Sequence, residues 1–223
     1  MSRQDAKADS GRATMILAEE ALERLRAGNR RFVSSTPNRQ TLSWEARRAE
    51  LVDGQAPFAI ILGCSDSRAP AELIFDQGLG DLFVIRVAGN IVAPSLVGSV
   101  EFAATKFATR LVVVLGHTQC GAIFATLDEL RRPAENQSPN LKSIVNRVRP
   151  SIEALLSENS QADLRDTDAL VRKAVRANVS ASVQQLQHGS EILEHLIARG
   201  DLCVVGAEYS LETGEVDFFD GAP

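Results

Sequence analysis

Phe58-Ala-Ile-Ile-Leu-Gly63-Cys64-Ser-Asp66-Ser-Arg68 is an apolar run of strand length that stops at a glycine and then delivers a thiol, a carboxylate and a guanidinium. A second stretch repeats the pattern: Leu111-Val-Val-Val-Leu-Gly116-His117-Thr-Gln-Cys120-Gly121. Continuous apolar runs of about six residues are the pattern of strands buried on both faces of a parallel sheet. In such sheets ligands collect outside the carboxyl ends of the strands, near a switch in strand order. Cys64, His117 and Cys120 are therefore expected to converge there, although they lie far apart in the chain. Two thiolates, one imidazole and an open fourth position is how a catalytic zinc is held.

Working outward from these two runs gives an α/β fold in one domain over residues 14–223, after a polar tail over residues 1–13 expected to be disordered. The sheet is expected to be mostly parallel, with about four buried strands and an additional C-terminal edge strand. Besides the two opening runs, the strands are Leu82 to Arg86, Leu202 to Gly206 and a hairpin around Glu212-Thr213-Gly214-Glu215. Residues 14–53 form an N-terminal helical extension, whose apolar face is Leu17, Ala21, Leu22, Leu25 and Phe32. Further helices are expected after Pro70 and Pro94, over 122–130, 141–157 and 164–187, and over 190–199 before Gly200. Val171, Val175, Val179, Val183 and Leu186 make a plain packing ridge on the longest of them. Helix 122–130 starts beside Cys120, and its N-terminal dipole should favour the thiolate there.

At 223 residues, one sizeable core is enough to account for the chain. The 24 basic and 29 acidic residues leave a net charge of -5 with no long run of one sign, so no nucleic acid or membrane partner is expected. Three cysteines are no disulfide framework; with no apolar leader either, they point to a soluble cytoplasmic protein. Asn136 and Asn178 match the glycosylation acceptor pattern by chance.

Each chemical residue also has a plainer reading. Cysteine is often a small buried hydrophobe, and Cys203, within a strand, is read that way. His188 and His195 lack ligand spacing and are read as packing or surface residues. Asp66 and Arg68 could be a surface ion pair of little worth. The sharper reading is a bidentate pair that keeps the carboxylate ionised beside the metal. An ionised Asp66 only accepts hydrogen bonds, so it selects a metal-bound species that carries a proton.

Taken together, Cys64-Ser-Asp66-Ser-Arg68 and Gly116-His117-Thr-Gln-Cys120-Gly121 resemble the motifs of the β-class carbonic anhydrases. The resemblance extends from Ala27-Gly28-Asn29-Arg30-Arg31-Phe32 through Phe75 to Val84 and Arg86-Val-Ala-Gly-Asn90 to Thr213-Gly214. It implies reversible hydration of carbon dioxide to bicarbonate and a proton by zinc-bound hydroxide, with one zinc per chain held by Cys64, His117 and Cys120. It further implies that Asp66 and Arg68 are the catalytic gatekeeping pair. By the same resemblance Gln55 and the Gly121 N–H contact substrate, and Phe83, Ala88 and Phe102 wall the pocket. Such walls come partly from a neighbouring chain, so a homodimer or homotetramer is implied. Val87 departs from the asparagine common in the family, so a polar contact is missing there. Two other readings stay open: hydrolysis of a sulfur analogue of carbon dioxide, and a non-catalytic zinc protein that senses bicarbonate.

Overall fold

A computed structural model describes residues 16–38, 44–132, 138–158 and 167–222, so the tail expected over residues 1–13 lies outside the described residues. In chain order the elements are α1 (Ala18–Val33), α2 (Trp44–Glu50), β1 (Ala59–Cys64), α3 (Ala71–Ile74) and β2 (Leu82–Val87). A single 3-10 turn, Ala88–Asn90, leads to α4 (Pro94–Lys106), β3 (Leu111–His117), α5 (Gly121–Arg131) and α6 (Pro139–Glu158). The chain ends with α7 (Thr167–His188), α8 (Glu191–Ala198), β4 (Cys203–Tyr209) and β5 (Val216–Asp220).

The five strands form one sheet in the order β2-β1-β3-β4-β5, parallel except for the antiparallel β5. β1 and β3 are buried at every residue, as continuous apolar runs require when helices cover both faces. β2 is an edge strand and is partly exposed. From β1 the chain steps to β2 on one side, then crosses back through α4 to β3 on the other. Strand order therefore reverses between β1 and β3, and a crevice opens at their carboxyl ends. Cys64 ends one of these strands and His117 the other.

One face of the sheet is covered by α1 and α3, through Leu22, Leu25, Ile74 and Phe75 against Ile61, Val113 and Val205. The other is covered by α4, α7 and α8. The valine ridge of α7 is buried as its spacing predicts, and it lies close to the sheet. A Cβ on Gly116 would come within 2.6 Å of Val179, and one on Gly206 within 2.9 Å. Glycine at these two strand positions is what lets the helix approach.

The buried face of α1 differs from its apolar pattern. Leu17 is 59% exposed and Phe32 36%, whereas Gly28 and Asn29 are buried. Asn29 explains the difference, because it makes contacts that no apolar residue could. Its Nδ2 donates to Ile74 O at 3.2 Å and Gly214 O at 2.9 Å, and its Oδ1 accepts from Val216 N at 2.9 Å. One side chain thus ties α1 to α3 and to the β4–β5 hairpin. Asn29→Leu strands three backbone groups and is expected to cost about 2–4 kcal/mol. Urea unfolding checks this, and an unchanged midpoint would show that the three bonds contribute nothing net.

Candidate metal centre

Cys64, His117 and Cys120 meet in the crevice, their ligand atoms all within 4.8 Å of one another. Local sequence explains each position. Cys64 and His117 are the last residues of buried strands, and Cys120 is the N-cap of α5, reached through Gln119 in the left-handed region at φ 56°. An apolar shell of Ile91, Ile123, Leu127, Val148 and Val175 surrounds them. Val87 packs against this same shell.

The donor set fits zinc. His117 Nδ1 lies 2.8 Å from Thr118 O, which can only accept, so the ring proton sits on Nδ1 and Nε2 keeps its lone pair. That Nε2 is buried and has no hydrogen-bond partner, which is costly unless a cation takes it. Cys64 Sγ accepts N–H groups from Asp66 at 3.4 Å and Gly89 at 3.3 Å. The Cys64 thiol is pulled down to about 4, first by the hydrogen bond from Cys120, against burial, then by His117 and these two amides. Cys120 is pushed up by that same hydrogen bond to Cys64 and by burial. The N–H groups of Ala122 and Ile123 pull it the other way, as the α5 dipole predicts, but they are outweighed. Two buried thiols this close do not both ionise until a divalent cation sits between them.

Beside the three ligands, Asp66 and Arg68 form the bidentate pair. Asp66 Oδ1 accepts from Arg68 N and Nε, each at 2.9 Å, and Oδ2 accepts from Nη2 at 2.8 Å. These bonds hold the Asp66 carboxyl well below the usual carboxylate range. Asp66 Oδ2 is 3.9 Å from His117 Nε2, so the carboxylate borders the position a metal would take. Arg68 Nη2 also donates to Gln119 O at 3.2 Å, joining the β1 loop to the β3 loop.

Gly121, the first residue of α5, and Ala88, in the turn after β2, also lie at this end of the sheet. Gln55, Phe83 and Phe102 do not. Gln55 precedes β1 and lines a surface hollow of about 420 Å³ with Leu51 and Leu79. Phe83 pairs with Ile60, four residues before Cys64, which is roughly 13 Å away at 3.3 Å per residue. Phe102 is 51% exposed on α4, with its ring centroid 6.3 Å from Phe83 and 5.6 Å from Phe107.

Three supports of the centre were not legible in the sequence. Arg86 donates through Nε to Cys64 O at 3.0 Å and through Nη2 to Asp66 O at 2.6 Å, shaping the loop between Cys64 and Asp66. Glu212, from the β4–β5 hairpin, accepts from Thr118 Oγ1 at 2.8 Å and steadies the residue after His117. Asn178 and Ser182, polar residues on the buried side of α7, hold the turn that carries Gly89. Only the last pair left a signal, as polar positions interleaved with an apolar ridge.

A carbonic anhydrase family model matches residues 59–216. The carbonic anhydrase of Mycolicibacterium smegmatis is 41% identical over 197 residues, covering 88% of this chain and 91% of its own. Carbonic anhydrase 2 of Mycobacterium tuberculosis is 39% identical over 196 residues, covering 87% and 89%. Among solved structures, the β-carbonic anhydrase CcaA superposes with a TM-score of 0.68 at 27% identity, over 90% of this chain and 95% of that one. Tetrameric β-carbonic anhydrases of Sordaria macrospora share the fold with a TM-score of 0.69 at 22% identity, over 90% of this chain and 98% of that one. The zinc-compatible triad thus sits in a chain whose family model, curated relatives and structural neighbours agree, and the chain belongs to the β-class carbonic anhydrase family.

Proposed function

We propose that this crevice hydrates carbon dioxide with zinc held by Cys64, His117 and Cys120, with Asp66 and Arg68 as the gate, and with walls completed by a second copy of the chain. The observation that carries the reading is the two-point Asp66–Arg68 pair bordering three metal-ligating side chains and no fourth among the described residues. A purely structural zinc is closed by four protein ligands and has no use for such a neighbour. When bound, zinc supplies a Lewis acid that lowers the pKa of a coordinated water.

The protein's own part follows from its geometry. Asp66 stays ionised, and Arg68 already occupies both its oxygens on one side, so its remaining lone pairs accept a proton donor at the centre. That contact orients the nucleophile and discriminates against a ligand without a proton. The Gly121 N–H, at the positive end of α5, is proposed to meet the oxygen where bicarbonate's charge develops. Ala88 gives a small apolar wall.

Gln55, Phe83 and Phe102 are proposed to act from a neighbouring copy, since their own centre lies at the opposite end of the strands. Among the described residues, edge strand β2 leaves one side of its backbone unpaired, and exposed Phe102 lies beside it, an arrangement suited to a self-contact. A homodimer or homotetramer is the proposed assembly, and sedimentation should find a multiple of the chain mass; a monomer that is fully active would sink the shared wall. A reducing cytoplasm is the proposed compartment, because Cys64, Cys120 and Cys203 are all unpaired. No helix among the described residues is long and apolar enough to cross a membrane.

Stopped-flow carbon dioxide hydration with zinc-quantified protein tests the reading. The expected result is fast turnover at one zinc per chain, rising from neutrality into mildly alkaline pH. Full zinc with no turnover at any pH would overturn it.

A further inference from the structure

We propose that Asn178, on α7, is a positioning residue for the metal centre: by holding the Gly89 carbonyl it fixes the Gly89 residue within its turn, so that the Gly89 N–H, on the preceding peptide, stays on the Cys64 sulfur. The proposal rests on the zinc-holding role of Cys64 and goes beyond it.

Of the two amides that Cys64 Sγ accepts, that of Asp66 is local, two residues along the same loop. The other comes from the turn between β2 and α4, whose shape has to be held. Gly89 sits at φ 73° and Asn90 at φ 43°, two successive residues in the left-handed region. Asparagine tolerates this region better than most residues, yet a non-glycine residue there still carries backbone strain that its surroundings offset. On one side, a Cβ on Gly89 would come within 2.9 Å of Ala122 at the start of α5, so the peptide has no slack in that direction.

On the other side stands α7. Asn178 Nδ2 donates to Gly89 O at 2.8 Å, and Ser182 Oγ, one helical turn on, donates to Asn90 O at 3.2 Å. Both side chains are buried, Asn178 at 2% exposure and Ser182 at 3%. Burial at that level also rules out the glycan that the local sequence pattern would allow. The helix is in turn seated on β3, since Val179 packs against Gly116, the residue before His117. The clamp and one of the metal ligands therefore share a strand as their base.

The turn is thus gripped by its two carbonyls from α7 while its N–H faces sulfur. An N–H on a thiolate draws electron density from it, and outer partners of this kind tune how strongly a ligand donates to its metal. Asn178 bonds the Gly89 carbonyl and not the metal ligands, so its effect runs through the placement of the Gly89 residue between its two peptide groups.

Asn178→Leu keeps the side-chain volume and removes the donor. In the cobalt-substituted protein, a freer Gly89 N–H leaves a more electron-rich Cys64, so the sulfur-to-cobalt charge-transfer band should move to lower energy. Zinc affinity, read by competition with a chromophoric chelator, should fall by about 10–100-fold, because the loosened turn no longer holds the sulfur in place and this outweighs its stronger donation. Ser182→Ala should move both readouts the same way, by less. Leu186→Ala, also on α7 and buried but with no hydrogen bond to the turn, is the control for general loosening of the helix. It should lower the melting temperature and leave the band in place. An unshifted band and parent affinity in Asn178→Leu would overturn the proposal, as would an equal shift in Leu186→Ala. Should the leucine variant not fold, Asn178→Ser, too short to reach Gly89 O, gives the same readouts. A parent chain that binds neither cobalt nor zinc would overturn the metal-centre reading itself, and this proposal with it.

Discussion

The Asp66→Ala protein is expected to hydrate carbon dioxide about 10²–10⁴-fold more slowly than the parent, the range for losing a positioned proton-handling group, while keeping one zinc per chain. The reasoning starts from what Asp66 does and does not hold. Its carboxylate borders the metal position 3.9 Å from His117 Nε2, but the ligands are Cys64, His117 and Cys120, so metal content should survive. The fold should survive as well. The partner left behind, Arg68, has a side chain 53% exposed and can turn to water, so no buried charge is stranded. What is lost is an acceptor fixed in direction by three bonds from one arginine. Asp66→Asn refines the test, because an amide presents a donor where the carboxylate presents only acceptors. A rate within a few-fold of the parent for Asp66→Ala, at full zinc, would remove Asp66 from the mechanism.

Cys120→Ser is expected to lose zinc, and turnover with it, without losing the fold. A serine hydroxyl does not ionise near neutrality, so one of two thiolate charges disappears from the centre and zinc affinity should fall by more than about 100-fold, beyond the loss of an outer-shell partner. The position is unusually tolerant of the change structurally. Cys120 is the N-cap of α5, where serine is among the favoured residues, and its side chain makes no cap hydrogen bond that the substitution would remove. Zinc quantification, hydration rate and far-ultraviolet circular dichroism separate the two effects. Cys203→Ser, remote from the triad, should match the parent in zinc and rate. A Cys120→Ser protein that retains zinc and turnover would show that Cys120 is no ligand.

These two positions were legible before any coordinates, and the reason is local. A strand buried on both faces has to read as an unbroken apolar run, and residues just past its end have to lie at the sheet's carboxyl edge. Cys64, Asp66, Arg68, His117 and Cys120 all stand within a few residues of such an end, so their place followed from position along the strand alone. The bidentate geometry of Asp66 and Arg68 was legible for the same reason, two residues being close enough for a turn to bring them together. Helix α1 was legible as a helix, but its contact face was not, because Asn29 is polar in composition and central in packing.

By itself, then, the sequence determined the buried strands, the three metal-ligand side chains at their ends and the Asp66–Arg68 pair, since each stands in or just after an apolar run that is its own evidence, and the two motifs together carried the resemblance to the family. Only the tertiary structure decided that Asn29 bonds Ile74, Gly214 and Val216, that Arg86 grips the carbonyls of Cys64 and Asp66, and that Asn178 holds Gly89. Only it separated Gln55, Phe83 and Phe102 from their own chain's centre, by placing Gln55 before β1, Phe83 early on β2 and Phe102 late on α4, away from the strand ends that carry the triad. The physical reason is common to all of these. Hydrophobic periodicity reports which face of an element is buried, whereas the partner of a polar group on that face depends on strand order, register and helix docking, which no local pattern records.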